Sequence, residues 1–449
     1  MSLGRRLAQL AHDRDGPLPR ATALDPLTEL RDRTRDTLAR DLGKRLGGTG
    51  HDAAQLKVVV SEELDRMIAE SARLLTPAER EQLASTLIDD VLGYGPIEPL
   101  LADPTVTEVM VNGTDAIFAE RRGVLELTNL RFRSDDHLRQ VIMRIAAAVG
   151  RRIDESSPMV DARLVDGSRV NAVIPPLAVD GPALTIRKFS ADTLAADDLV
   201  TMGSLTAPSL ALLSAIVRGR LNIIVSGGTG TGKTTFLNVL SSFIPISDRI
   251  VTIEDAVELR LRQRHVIRLE CKTANIEGQG AIGTRELVRN SLRMRPDRII
   301  VGECRGPEAL DMLQAMSTGH DGSLGTLHAN TPEDALSRLE TMVMMAGLEL
   351  PTSVVREQLA SAIDVVVQLE RLRSGARVVS SITEVAGFDG ERVKLNPLFQ
   401  RRFDEVSIDD SELESTGNRP NFARKLAKHG VVLADATFES LPTTRPEAA

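Results

Sequence analysis

The apolar positions change their period along the chain, and each change marks a different kind of element. Val58, Val59, Leu64, Met67 and Ile68 recur at helical spacing, so residues 56–92 read as a helical segment. Within it Thr76-Pro-Ala-Glu79 has the form of a capping box and predicts the start of a second helix. Residues 93–189 read as a small N-terminal α/β domain. Val106–Val111 alternates as a strand, Ile117–Phe132 reads as a hairpin turning near Arg122-Gly123, and Ser134 can cap a helix running to Gly150. Asp166-Gly167 stands between the apolar-rich stretches Ala162–Val165 and Ser168–Ile174, a two-residue hairpin signal, and Ala183–Phe189 supplies one more strand.

Residues 190–205 are polar and acidic and predict a linker. From 206 to 403 short, mostly apolar runs alternate with helical stretches. Leu221–Ser226, Ile250–Ile253, Arg298–Val301 and Ser323–Leu327 are the strands, and Thr234–Phe243 and Pro307–Met316 are helices. Strands apolar on both faces with helices between them predict a mostly parallel sheet covered on both sides. The expected fold class is therefore α/β, a small N-terminal domain followed by a larger one. Residues 1–55 read as a flexible, charged leader and residues 404–449 as an acidic, loose tail.

Composition narrows the classes. Aromatic residues are 2% of the 449, with no Trp and one Tyr, so the core is aliphatic. The net charge of −8 and the scarcity of aromatics for base stacking argue against a nucleic-acid partner. The two cysteines, Cys271 and Cys304, make neither a disulfide framework nor a metal-binding spacing. No apolar run approaches the roughly 20 residues needed to cross a bilayer, so a cytoplasmic protein reaching the membrane only through partners is expected.

The chemistry concentrates in the second domain. Gly227, Gly228, Thr229, Gly230, Thr231, Gly232, Lys233 and Thr234 fit the phosphate-loop pattern, and they stand between an apolar strand and a helix. Glycines let backbone N–H groups wrap phosphates, and the helix that follows adds a positive N-terminal dipole. Lys233 supplies a charge toward the β- and γ-phosphates, and the Thr234 hydroxyl can ligate Mg²⁺. Asp297–Gly302 is an apolar strand leading to Glu303, a carboxylate suited to polarising the attacking water. Ile253-Glu254-Asp255 ends another strand in carboxylates, candidates for ordering metal-bound water. His320 and His328 lie in a glycine-rich stretch without further ligands at zinc spacing, and are expected to sense the nucleotide or order its loop.

Taken in order, GGTGTGKTT, IEDAVEL, RMRPDRIIVGECRG and TGHDGSLGTLHAN resemble the Walker A, Asp, Walker B and His boxes of the type II/IV secretion ATPase superfamily. The stretch from Leu287 to Gly347 looks most like the CpaF-type branch, which powers assembly of Tad (Flp) pili. The likeness spans roughly residues 56–400. It implies an ATP- and Mg²⁺-dependent motor with a RecA-like second domain. It also implies a homo-hexameric ring acting on an inner-membrane platform protein from the cytoplasmic face. By motif, Gly227–Thr235 would hold ATP, Glu254 and Asp255 would be the Asp-box acids, Glu303 the catalytic carboxylate, and His320 and His328 the His-box residues. Arginines of the N-terminal domain would approach the γ-phosphate, with Arg163, Arg169 and Arg187 the candidates. Gly302 holds the place before Glu303 where many phosphate-loop ATPases carry Asp. The neighbouring alternatives are a type IV secretion traffic ATPase and, less in keeping with the charge, a RecA-like nucleic-acid motor.

Overall fold

The computed structural model describes residues 33–34, 37, 53–70, 75–91, 93–121, 123–164, 166–189, 194–272, 279–403 and 411–438. The expected leader falls almost wholly outside them. Helices Ala53–Glu70 and Pro77–Val91 close on a small core of their own, Val60, Leu64 and Met67 against Leu83 and Leu87. The capping box forms as the sequence predicts: the Thr76 N–H donates to Glu79 Oε2 at 2.8 Å and the Glu79 N–H to Thr76 Oγ1 at 3.2 Å.

The N-terminal domain is a six-stranded antiparallel sheet. Its strands are β1 (Val106–Asn112), β2 (Ala116–Arg121), β3 (Val124–Leu127), β4 (Met159–Arg163), β5 (Arg169–Val173) and β6 (Ala183–Arg187), in the order β3-β2-β1-β6-β5-β4. Helix Asp135–Ala148 packs Leu138, Val141, Ile142 and Ile145 onto one face, and Ser134 Oγ caps it by accepting from the His137 N–H at 3.2 Å. The β2–β3 and β4–β5 turns fall at the two expected places, with Gly123 at φ 80° and Gly167 at φ 93°, the left-handed conformations glycine tolerates.

The second domain is a nine-stranded sheet. In chain order its strands are β7 (Ile223–Gly227), β8 (Ile250–Glu254), β9 (Val266–Glu270), β10 (Arg298–Val301), β11 (Leu324–Leu327), β12 (Val365–Arg371), β13 (Arg377–Phe388), β14 (Val393–Arg401) and β15 (Leu413–Ser415). The spatial order is β15-β14-β13-β12-β7-β11-β10-β8-β9. The run from β12 to β9 is parallel, while β13, β14 and β15 add antiparallel strands at one side. The central strands β7, β8, β10 and β11 are buried at every position, in keeping with their mostly apolar character. Helices Ala207–Arg218 and Lys233–Ser241 cover one face, and Glu308–Ser317, Pro332–Met344 and Thr352–Ala362 the other.

Two expectations are corrected here. The stretch read as a linker contains helix Ala196–Thr201, and both Leu199 and Leu205 enter the core of the second domain. The tail is not loose over 411–438. β15 extends the sheet, and Phe422, Leu426 and Phe438 are buried against the helix Ala207–Arg218 side of the core. Glu384, 2% exposed, fixes this segment by accepting from the backbone N–H groups of Asn421 (2.7 Å) and Phe422 (3.0 Å). Sparse apolar residues hid this packing among polar neighbours.

Candidate active site

Parallel strands bring their carboxyl ends to one edge, and the order β7-β11-β10-β8 decides what stands beside what there. The phosphate loop follows β7, His328 follows β11, Glu303 follows β10, and Glu254 ends β8. His328 therefore comes to lie between the loop and Glu303. Lys233 Nζ donates to the carbonyls of Gly227 (3.0 Å) and Gly228 (2.8 Å) and lies 3.4 Å from His328 Nδ1. His328 Nε2 stands 3.0 Å from Glu303 Oε1. An ammonium can only donate, so Nδ1 accepts and the ring proton belongs on Nε2, facing the carboxylate. Lys233 and Glu303 are thus joined through one imidazole.

The charges are mutually tuned. Burial pulls the Lys233 ammonium down to about 8; Glu303 opposes this, and the positive Arg187 and Arg305 add to it. Burial works against the Glu303 carboxylate, but Arg305, His328 and Lys233 together hold it below its ordinary range. Burial and the Lys233 charge keep His328 below the usual imidazole value, hence neutral near pH 7.

The loop itself needs its glycines. Gly230 (φ 72°) and Gly232 (φ 87°) are left-handed, and a Cβ on Gly227 would fall 2.6 Å from the Leu369 carbonyl oxygen. Thr231 Oγ1 closes the turn on the Gly228 carbonyl at 3.0 Å. Thr234 and Thr235, in the first turn of helix Lys233–Ser241, line a cleft of about 160 Å³ shared with Arg169, Arg187 and Phe189 from the N-terminal domain. Thr229, at the exposed tip of the loop, makes no contact that distinguishes it.

Glu254 differs from expectation. It is 4% exposed, and its Oε2 accepts the N–H groups of Glu258 (2.7 Å) and Leu259 (2.9 Å), so it folds the following loop back onto the strand. Burial raises its carboxyl despite these bonds. Gly302 explains itself at this point: a Cβ there would meet Glu254 Cγ at 2.8 Å, which leaves no room for the Asp common at that place. Asp255 is engaged by Arg305 Nη1 at 3.1 Å, whose Nη2 reaches Glu303 at 2.6 Å. Arg305 is thus a clamp on both acids that the sequence reading missed, although it lies only two positions past Glu303.

His320 is not brought to this edge. It precedes β11, at the end of the strand where Asn222 Oδ1 accepts from Gly322 and Ser323, opposite the phosphate loop. The expectation that it senses the nucleotide is corrected by that placement. Of the three arginines, Arg163 is committed to Glu270 (2.5 Å) and the Val257 carbonyl, and faces a neighbouring cleft of about 740 Å³. Arg169 is tied to Glu258 (3.2 Å) and the Ala256 carbonyl (3.0 Å). Arg187 has one long ion pair, 3.6 Å to Glu108, and a half-exposed side chain.

A profile of the family described as "Type II/IV secretion system protein" matches residues 90–399. The chain belongs to that family. It is an ATPase. A putative conjugal transfer protein of Mycobacterium tuberculosis is 38% identical over 307 residues, covering 67% of this chain and 87% of that one. The conjugal transfer protein TrbB of Rhizobium radiobacter is 34% identical over 298 residues, covering 65% of this chain and 86% of its own. The crystal structure of the VirB11 ATPase from the Brucella suis type IV secretion system, in complex with sulphate, is 31% identical with a TM-score of 0.34, over 64% of this chain and 94% of that one. No helix among the described residues is long and apolar enough to cross a membrane.

Proposed function

We propose that this ATPase is the traffic motor of a type IV secretion or conjugation apparatus, a hexameric ring at the cytoplasmic face of the inner membrane that works on membrane-embedded partners. The second domain serves as the RecA-like engine. The single observation behind the motor is the chain Lys233–His328–Glu303, which begins one residue before Thr234 and Thr235 in the wall of a cleft shared by both domains. Behind the choice of apparatus stand the relatives, which are conjugal transfer and type IV secretion proteins. The Tad-pilus reading rests on the Leu287–Gly347 stretch alone and takes second place.

In this reading Lys233 leaves the loop carbonyls for the ATP phosphates, and the glycine loop supplies N–H donors. Glu303 orients a water for in-line attack on the γ-phosphorus and accepts its proton as the bond to ADP breaks. His328 keeps that carboxylate aimed. Arg187, the least committed of the three N-terminal arginines, completes the charge shell when the domains close, so closure and hydrolysis are coupled. Mg²⁺, when bound to the Thr234 hydroxyl and phosphate oxygens, would neutralise the developing charge. The residues fit it: Thr234, in the first turn of the helix that follows the phosphate loop, offers a hard hydroxyl oxygen, and Mg²⁺ takes the rest of its shell from phosphate and water.

The test is a deletion complemented with wild-type or Lys233→Ala protein, scored for transfer of DNA or effector protein and, separately, for surface pili. Loss of transfer with pili intact supports the proposal. Loss of pili with transfer intact overturns it in favour of the Tad reading.

A further inference from the structure

The phosphate loop is also held from a side that none of the sequence boxes covers. Arg377, at the start of β13, donates from Nε to the Gly230 carbonyl at 3.0 Å, and its Cδ lies 3.2 Å from where a Cβ on Gly232 would stand. Its side chain therefore runs along the two left-handed glycines that give the loop its shape. The other end of the same guanidinium, Nη2, is 3.3 Å from Glu120 Oε1 on β2 of the N-terminal domain. Glu120 Oε2 is 3.3 Å from Arg371 Nη2, which also donates to the Gly123 carbonyl. Thr107 Oγ1 gives the carboxylate a third donor at 3.0 Å.

The two turns that carry these groups touch backbone to backbone, since a Cβ on Gly123 would fall 2.7 Å from the Gly375 carbonyl oxygen. The Glu120 side chain is 12% exposed, so solvent screens its pairs only in part. Hydrogen bonds weaken steeply with distance, so the N-terminal sheet cannot swing away by a few ångströms without releasing Arg377.

We propose that Glu120 and Arg377 form a clasp through which the position of the N-terminal domain sets the shape of the phosphate loop, and with it the affinity for ATP. Neither residue needs to touch nucleotide; both are positioning residues. With the clasp closed, Gly230 and Gly232 are held in the conformation that presents their neighbours' N–H groups. With the domains apart, Arg377 loses its anchor and the loop relaxes. The domain movement that follows hydrolysis is in this way transmitted back to the nucleotide.

The experiment is steady-state hydrolysis by the full chain under Mg-ATP titration for Glu120→Gln, Arg377→Gln and the double variant. Each single change is expected to raise KM about fivefold with kcat within about twofold. The double variant is expected to be no worse than the worse single one, because both remove the same interaction. A KM for Glu120→Gln within twofold of the parent overturns the clasp, as does a fall in kcat at unchanged KM, or a double variant whose KM rises by the product of the two single effects. Should Arg377→Gln fail to fold, Glu120→Gln still decides, because Glu120 lies in the other domain and makes no contact with the loop.

Discussion

Removing the imidazole of His328 should slow hydrolysis without abolishing ATP binding. The ring holds Glu303 at 3.0 Å and lies 3.4 Å from Lys233. A hydrogen bond to a charged group contributes about 1.5–3 kcal/mol. With 32% of the side chain exposed, water can replace part of that contact in the variant, so the lower end applies, about 1.5 kcal/mol. If this is felt wholly in the transition state, His328→Ala should lower kcat about tenfold. His328→Gln keeps an N–H donor and should recover part of the loss. Phosphate release under saturating Mg-ATP reads kcat, and the same titration reads KM. A kcat for His328→Ala within twofold of the parent would refute the role given to the imidazole.

Other outcomes follow from the same geometry. Glu303→Gln should bind ATP nearly as well as the parent yet lose about 100-fold or more in turnover, whereas Lys233→Ala should lose nucleotide affinity as well; fluorescent-nucleotide titration beside turnover separates the two. The cationic form of Lys233 is the one that receives phosphate and its value is about 8, so kcat/KM should fall as pH rises through that value. On the acid side His328 must stay neutral to accept from Lys233. Its value lies below 6.5, so the acid limb should lie below that pH in the parent and change in His328→Gln, which has no ring to titrate. Leu426→Ala, at a site 1% exposed, should destabilise the second domain by about 2–5 kcal/mol, read by denaturant unfolding; a change near zero would contradict the packing described for the tail.

What the sequence made legible was whatever a run of like residues announces by itself. β7, β8, β10 and β11 are buried on both faces and so are written as mostly apolar stretches, and the glycine loop between strand and helix is equally local. The failures are those in which position depends on the order of strands in space. His320 and His328 lie eight positions apart in one glycine-rich stretch, yet a four-residue strand between them carries one to each edge of the sheet. Glu254 was visible as a strand-end acid, but whether it meets water or backbone N–H depends on how the following loop returns. Arg305, Arg371 and Arg377 were invisible among the 55 basic residues, because what distinguishes them is the acid and carbonyl each one meets. The antiparallel strands β13 to β15 carried no chemistry to draw the eye.

The burial of Phe422, Leu426 and Phe438 bears on how the molecule is made. Leu426 packs so closely over Gly219 that a Cβ there would come within 2.2 Å of its methyl group. The N-terminal sheet closes on a core of its own, so it is expected to assemble while the rest of the chain is still being translated. The engine cannot, because part of its interior is supplied by Phe422, Leu426 and Phe438, which are translated after all of the nucleotide-binding boxes. A nascent chain cut short before them carries every nucleotide-binding box and yet exposes an unfinished oily face, so quality control is expected to meet it before ATP does.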